Sequence, residues 1–235
     1  MSEEALDKLQ RETFGYFKKE TNLRNGMVPD NTRTGAHASI AAIGLGLAAY
    51  PVGVERDFIS REEAVERVLT TLRFFWHSER GKHPDATGYK GFYYHFLHMD
   101  SGRRAWESEL STIDSTILIA GALASATYFD QGTTQEEEIR RLADDLYHRV
   151  DWQWALNGGA KVTMGWKPEC GFLPYSWEGY NEAILLTCLV SLRLRTRFPQ
   201  KLTKLLPRHT AGRRSAVRSF FMVVHCSFIS SPTCG

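Results

Sequence analysis

Three carboxylates in this chain could do acid–base chemistry: Glu109, Asp114 and Glu182. Asp114 falls in the first turn of an apolar stretch, ELSTIDSTILIAGAL, and Glu182 opens another, GYNEAILL. A carboxylate at a helix start has an ordinary structural use, because it meets the positive end of the dipole and caps free N–H groups. These two helices have no polar face, however, so both side chains are expected to point into an enclosed space. Carboxyls facing each other across a cavity have their pKa values pushed apart, which yields one acid and one base. That pair suits glycosidic-bond hydrolysis, with room for a water between the carboxyls giving inversion and a closer pair giving retention.

The surrounding residues suit a sugar. Pyranose rings present apolar C–H faces to Trp and Tyr, while their hydroxyls need carboxylates and amides. Tyr94, Trp106, Trp166, Trp177 and Tyr180 lie in long loops or at their edges, together with Phe92, Tyr93 and Phe172. About half of these aromatics are expected to be loop core. Asn181, beside Glu182, either binds a hydroxyl or caps the helix. His95 sits among aromatics, where a packed, hydrogen-bonded ring is the commoner use. Asp30 lies in a polar loop that also carries Pro29. The substrate-binding candidates are thus Asp30, Tyr94, His95, Trp106, Ser111, Trp166, Trp177, Tyr180 and Asn181. No HExxH, P-loop or strand-following GxGxxG is present, so neither a metal nor a cofactor is expected.

The elements that must position these groups alternate in kind. Residues 3–18, 61–78 and 135–150 have one apolar stripe among charges and read as amphipathic helices. Residues 38–50, 111–127 and 179–190 are apolar on nearly every face. A helix buried all round must be surrounded by others. Three outer/inner hairpins of this kind predict an all-α fold, an incomplete (α/α)6 toroid. Capping boxes are expected at Ser60 with Glu63 and at Thr134 with Glu137. The long loops, over 20–37, 80–110 and 152–178, all run from an outer helix to the next inner one, so they fall on one rim. The segment GFYYHFLHMDSGRRAWE is expected to form a β-hairpin there, turning at Asp100–Gly102. Long loops on a rigid scaffold are where binding groups concentrate.

Composition is that of a globular protein, with 235 residues, 43% hydrophobic and 24% charged. Nine of the 29 Lys/Arg and none of the 27 Asp/Glu fall in residues 187–235, so an acidic body carries a basic tail. A basic tail is a feature of some nucleic-acid binders; here no nucleic-acid partner is expected. Cys170, Cys188, Cys226 and Cys234 form no CxxC pair and read as neither a disulfide framework nor a zinc site. The charged start, MSEEALDKLQRE, is unlike a secretory leader, and the longest apolar run is too short to span a bilayer. The expected location is cytoplasmic, or periplasmic or extracellular if the true start lies upstream.

Several long segments together carry a family resemblance: LQRETFGYF, GLAAYPVGVERDFISREEAVERVLTTLRFF, GYKGFYYHFL, ELSTIDSTILIAGAL and GFLPYSWEGYNEAILL. Over about residues 5–186 the chain resembles the glycoamylase-like domain family. It is similar to the β-1,2-glucan-active enzymes of glycoside hydrolase family 144 and to the central region of cyclic β-1,2-glucan synthases. The resemblance implies an (α/α)6 toroid and action on a glucan. It places Glu182 at the glutamate of the GYNE segment. It places Ser111 and Asp114 at the Asp-x-x-Glu pair of the endo-β-1,2-glucanases, so Ser stands for the first acid and Asp for the second. Glu109 is the nearby carboxylate that could substitute. The expected domains are 1–191, a truncated glycoamylase-like unit, and 192–235, a basic tail outside the family pattern. Codons for the tail can be chosen such that one shift of reading frame near residues 187–191 yields segments resembling those that continue the family, GPLFIHQLSHVW among them. The tail is therefore expected to be frameshift-derived and poorly packed. The expected function is glycosidic-bond hydrolysis or transfer on a β-glucan, or, in the alternative, carbohydrate binding by an inactive remnant.

Overall fold

The computed structural model describes residues 2–179 and 181–194. Helix α1, Glu3–Glu20, starts where Ser2 Oγ accepts the Ala5 N–H, with glutamates in its first turn and lysines in its last, as the helix dipole favours. Strand β1, Ala38–Ser39, leads straight into α2, Ile40–Glu55. Helix α3 is Arg61–His77, with Ser60 Oγ accepting the Glu63 N–H as expected. The following loop carries β2 (Gly88–Tyr89), β3 (Phe92–Tyr94) and β4 (Phe96–Leu97). Strand β5, Leu110–Ser111, leads into α4, Thr112–Tyr128, and α5 is Thr134–Arg149. A short helix α6 (Trp152–Ala155), strands β6 (Gly165–Lys167) and β7 (Gly171–Phe172) and helix α7 (Ala183–Leu194) complete the described elements.

The helices form two layers. Helix α4 packs between α2 and α7, while α3 packs against α5. The α2–α4 contact is a backbone contact. A Cβ on Gly121 would lie 2.0 Å from Gly44 O, and one on Gly44 would lie 2.5 Å from Ile117 O. Only glycine permits that approach. Helix α2 runs past the expected end at residue 50 and through Pro51. Proline has no N–H to offer the carbonyl four residues back. That carbonyl, Leu47 O, instead accepts the Ser125 hydroxyl of α4 at 2.7 Å.

In the outer layer, Arg61 of α3 grips Glu136 of α5 with two hydrogen bonds of 2.8 and 2.9 Å. Glu136 is almost fully buried and also accepts the Gln131 N–H. The cap of α5 is Thr133, whose Oγ1 accepts the Glu136 N–H, not Thr134 as expected. The two threonines are adjacent and both fit the template, and the burial of Glu136 against Arg61 fixes the register one residue earlier.

Two small antiparallel sheets cover one rim. One has the order β2-β3-β5-β6-β7 and the other pairs β1 with β4. The expected hairpin is only partly present. Its turn stands, with Leu97 opposite Arg104 and the Ala105 N–H on Phe96 O. Its first arm is divided, because β3 joins the larger sheet and β4 the smaller. The loop 152–178 also holds more order than expected, in α6, β6 and β7. Helix α7 begins at Ala183 instead of 179 and continues to Leu194, three residues into the expected tail. Residues 195–235, on which the rest of the tail expectation falls, lie outside the described residues. Among the described residues, no helix is long and apolar enough to cross a membrane.

Candidate active site

His95 is the residue at which the two sheets meet. Its N–H donates to Glu109 O at 2.9 Å and its C=O accepts the Ile40 N–H at the start of α2. The antiparallel register pairs Tyr93 with Ser111 and Tyr94 with Leu110, so it sets His95 opposite Glu109. Residues opposite each other on antiparallel strands bring their side chains together. Here His95 Nδ1 lies 2.9 Å from Glu109 Oε1, and its ring stacks on Phe96 at 4.0 Å. On its other side, His95 Nε2 lies 3.6 Å from Asp114 Oδ2.

Asp114 is held by the cap of its own helix. Ser111 Oγ accepts the Asp114 N–H at 3.2 Å and donates to Asp114 Oδ2 at 2.6 Å. Ser111, where the resemblance expects an acid, thus orients one. Glu182 is exposed, which corrects the enclosed position expected for it, because α7 starts only at Ala183 and leaves Glu182 in the preceding loop. It lies close enough for the Asp114 charge to act on it.

The electrostatics separate these groups. Burial works against a charged His95, but the hydrogen bond to Glu109 and the charges of Asp114, Glu109 and Asp30 outweigh it and hold the imidazole above its ordinary value. Burial likewise works against a charged Glu109, but the His95 hydrogen bond, a backbone hydrogen bond and the charges of His95 and Lys167 prevail, so that carboxyl sits below its ordinary value. Glu182 moves the opposite way, raised by desolvation first and by the Asp114 charge second. The ligand atoms of His95, Glu109 and Asp114 lie within 4.8 Å of one another, as a cation site would require. The closest pair is instead joined by a hydrogen bond that needs a proton on Nδ1, and the three surrounding carboxylates favour that proton.

The remaining candidates fall into distinct environments. Asp30 is exposed, and its charge reaches His95. Trp166 is half-buried in a cluster with Tyr89 at 5.3 Å and Trp154 at 5.9 Å. Trp177 donates its indole N–H to Thr112 Oγ1 at 3.0 Å, tying the loop before α7 to the start of α4. Asn181 acts as a cap, its Oδ1 accepting the Ala183 N–H at 2.9 Å. Tyr94 is corrected from sugar contact to core, since its ring is wholly buried beneath the Arg104 guanidinium and burial pushes its hydroxyl up to about 12. Trp106 is 65% exposed and stacks on His37 at 4.1 Å. Tyr180 lies outside the described residues. His37, Phe96 and Arg104 were not singled out by the sequence. The only signal was the run RRAWE, an arginine beside an aromatic in a loop.

No family model matches the chain. It is 26% identical over 193 residues to an exo β-1,2-glucooligosaccharide sophorohydrolase (non-reducing end) of Parabacteroides distasonis, covering 78% of this chain and 26% of that protein. A β-1,2-glucanase structure from Parabacteroides distasonis shares its fold, with a TM-score of 0.74 at 24% identity over 83% of this chain and 28% of that one. So does an endo-β-1,2-glucanase from Chitinophaga pinensis in complex with sophorotriose and glucose, with a TM-score of 0.70 at 24% identity over 80% of this chain and 47% of that one. The chain therefore spans about a quarter of the length of its curated relative and less than half of either solved structure. In sequence the chain is thus similar to a β-1,2-glucooligosaccharide hydrolase, and in fold to two β-1,2-glucanases.

Proposed function

We propose that this chain carries the acid–base machinery of a glucan-active glycoside hydrolase on an incomplete (α/α)6 toroid. The observation that carries the reading is the cluster at the start of α4, where Ser111 Oγ donates to Asp114 Oδ2 at 2.6 Å and His95 Nε2 lies 3.6 Å from the same oxygen, with Glu182 near enough to feel the Asp114 charge. In the proposed reaction Glu182 gives its proton to the glycosidic oxygen as the C1–O bond breaks. A water attacks C1 and its proton passes to Asp114, which Ser111 and His95 orient. Glu109 aims the His95 ring through their hydrogen bond and raises its pKa. The relatives' names point to β-1,2-linked glucose as the substrate.

Glu182→Gln is expected to lower the rate on β-1,2-glucan by about 10²–10⁴-fold. Product analysis by chromatography measures it, and full activity in the variant would remove Glu182 from the mechanism. As pH rises through the raised Glu182 value the acid is lost, so the rate should fall on the alkaline side at a pH above that of an ordinary carboxyl. A second reading, a sugar-binding remnant without catalysis, is favoured by Ser111 standing where the endo-glucanases have an acid. Glucan binding without any cleavage by the wild-type chain would select it. The frameshift reading of the tail is a proposal of the same kind. Sequencing the coding DNA tests it, since no second frame encoding GPLFIHQLSHVW would sink it.

A further inference from the structure

The loop between β4 and β5 holds an unusual turn. The Ser108 N–H donates to Ala105 O at 3.0 Å, and the two residues between them, Trp106 and Glu107, have φ of 53° and 52°. Two successive left-handed residues are a type I′ arrangement, which favours Asn and Gly. Trp and Glu are poor choices for it on conformational grounds, and such backbone persists only where its surroundings over-determine it.

Arg104 does so. Its side chain is 2% exposed and donates to Glu107 O at 2.8 Å and Ser108 O at 2.7 Å, so it clamps the far side of the turn. Glu169 neutralises it with two hydrogen bonds of 2.6 and 3.0 Å, and the Tyr94 ring lies beneath it at 4.6 Å. A buried, fully partnered arginine is thus spent on holding a tryptophan out into water.

We propose that Trp106, backed by His37 and clamped by Arg104, is a saccharide-stacking platform, a glucosyl subsite flanking the acid–base carboxylates. The proposal deepens the glucan-hydrolase reading and rests on it. One face of the indole lies on His37 at 4.1 Å and 23°, and its edge meets Phe96 at 5.2 Å. With one face covered and the ring 65% exposed, the opposite face is the open one. Phe96 in turn stacks on His95, so the platform stands one aromatic ring away from the His95–Glu109–Asp114 group. β-Linked glucose presents axial C–H bonds on both ring faces and carries no charge. Glu107 beside the indole is exposed and can accept a hydroxyl.

Binding of linear β-1,2-glucooligosaccharides of increasing length, from sophorose upward, to the full chain tests this. Glu182→Gln serves as the parent so that ligands are not consumed, and calorimetry and tryptophan fluorescence are the readouts. Trp106→Ala is expected to weaken the longer ligands on the order of tenfold, with little change for the shortest, and to abolish part of the fluorescence response. Trp106→Phe should retain most of the affinity. Trp106→Gly suits the left-handed backbone, so it provides a folded second variant with the same expected loss. Unchanged affinity at every length in Trp106→Gly, with the parent still binding, overturns the subsite and leaves the hydrolase reading intact. Failure of the parent and of the wild-type chain to bind glucan of any length overturns both.

Discussion

His95 and Glu109 shield each other's charge, and the consequence for stability has a definite sign. The His95 value is raised above 6.5 on folding, so its contribution is complete below that pH and lost as pH climbs through the folded value. The Glu109 value is lowered below 4.5, so its contribution is complete above that pH and lost as pH falls through the folded value. Between 4.5 and 6.5 both are present. His95→Gln should therefore lower Tm most within that window and progressively less on either side. A Tm difference that stays constant from pH 4 to pH 9 would contradict the charged pairing. The partnership itself was not visible in the sequence, where His95 reads as one packed ring among aromatics. It arises from the register of β3 on β5, and register depends on which strand a segment joins. Asp114 was identifiable because a helix start is a local pattern, whereas Ser111 was expected to bind substrate at the place of a substituted acid, not to aim Asp114.

At the scale of elements, the apolar and amphipathic patterns located every long helix among the described residues, because burial on one face or on all faces is written in the spacing of apolar residues. Their ends were less clear. The α2 pattern fades before Pro51, and the helix continues because Ser125 fills the place of a missing N–H. Ser125→Ala leaves Leu47 O buried without that partner and should cost about 1–3 kcal/mol in chemical denaturation. Restoring a backbone donor with Pro51→Ala should recover part of the loss, a non-additivity that a double-mutant cycle reads directly. Equal losses with either residue at 51 would mean that the hydroxyl has another role. In the outer layer, Glu136→Ala strands the part-buried Arg61 and should cost about 3–5 kcal/mol by the same measurement.

For the molecule as a whole, alternation of helix type agrees with a mostly helical fold in which α4 packs between α2 and α7 and α3 packs on α5. The hairpin around Asp100–Gly102 was legible in the sequence, but the joining of separate loops into sheets was not, because strands of two or three residues carry no periodicity. The sheets make the rim a continuous surface that joins the starts of α2 and α4. Glucan binding is accordingly expected to slow amide hydrogen exchange over residues 93–97 and 104–115, and to leave the outer surfaces of α3 and α5 unchanged. Protection confined to those outer helices would place the ligand on the wrong side of the molecule for the proposed chemistry.

The hydroxyl that completes α2 also orders events in time. Leu47 leaves the ribosome 78 residues before Ser125. At about 5–20 residues per second, roughly 4–16 s separate the two. For that interval the carbonyl behind Pro51 has only water to bond, and water must leave before α2 can be enclosed. Gly44 imposes the same delay, since the glycine it must touch is also in α4. The first inner helix of this protein is thus synthesised well before it can be dried, and the nascent chain carries it wet until the second arrives.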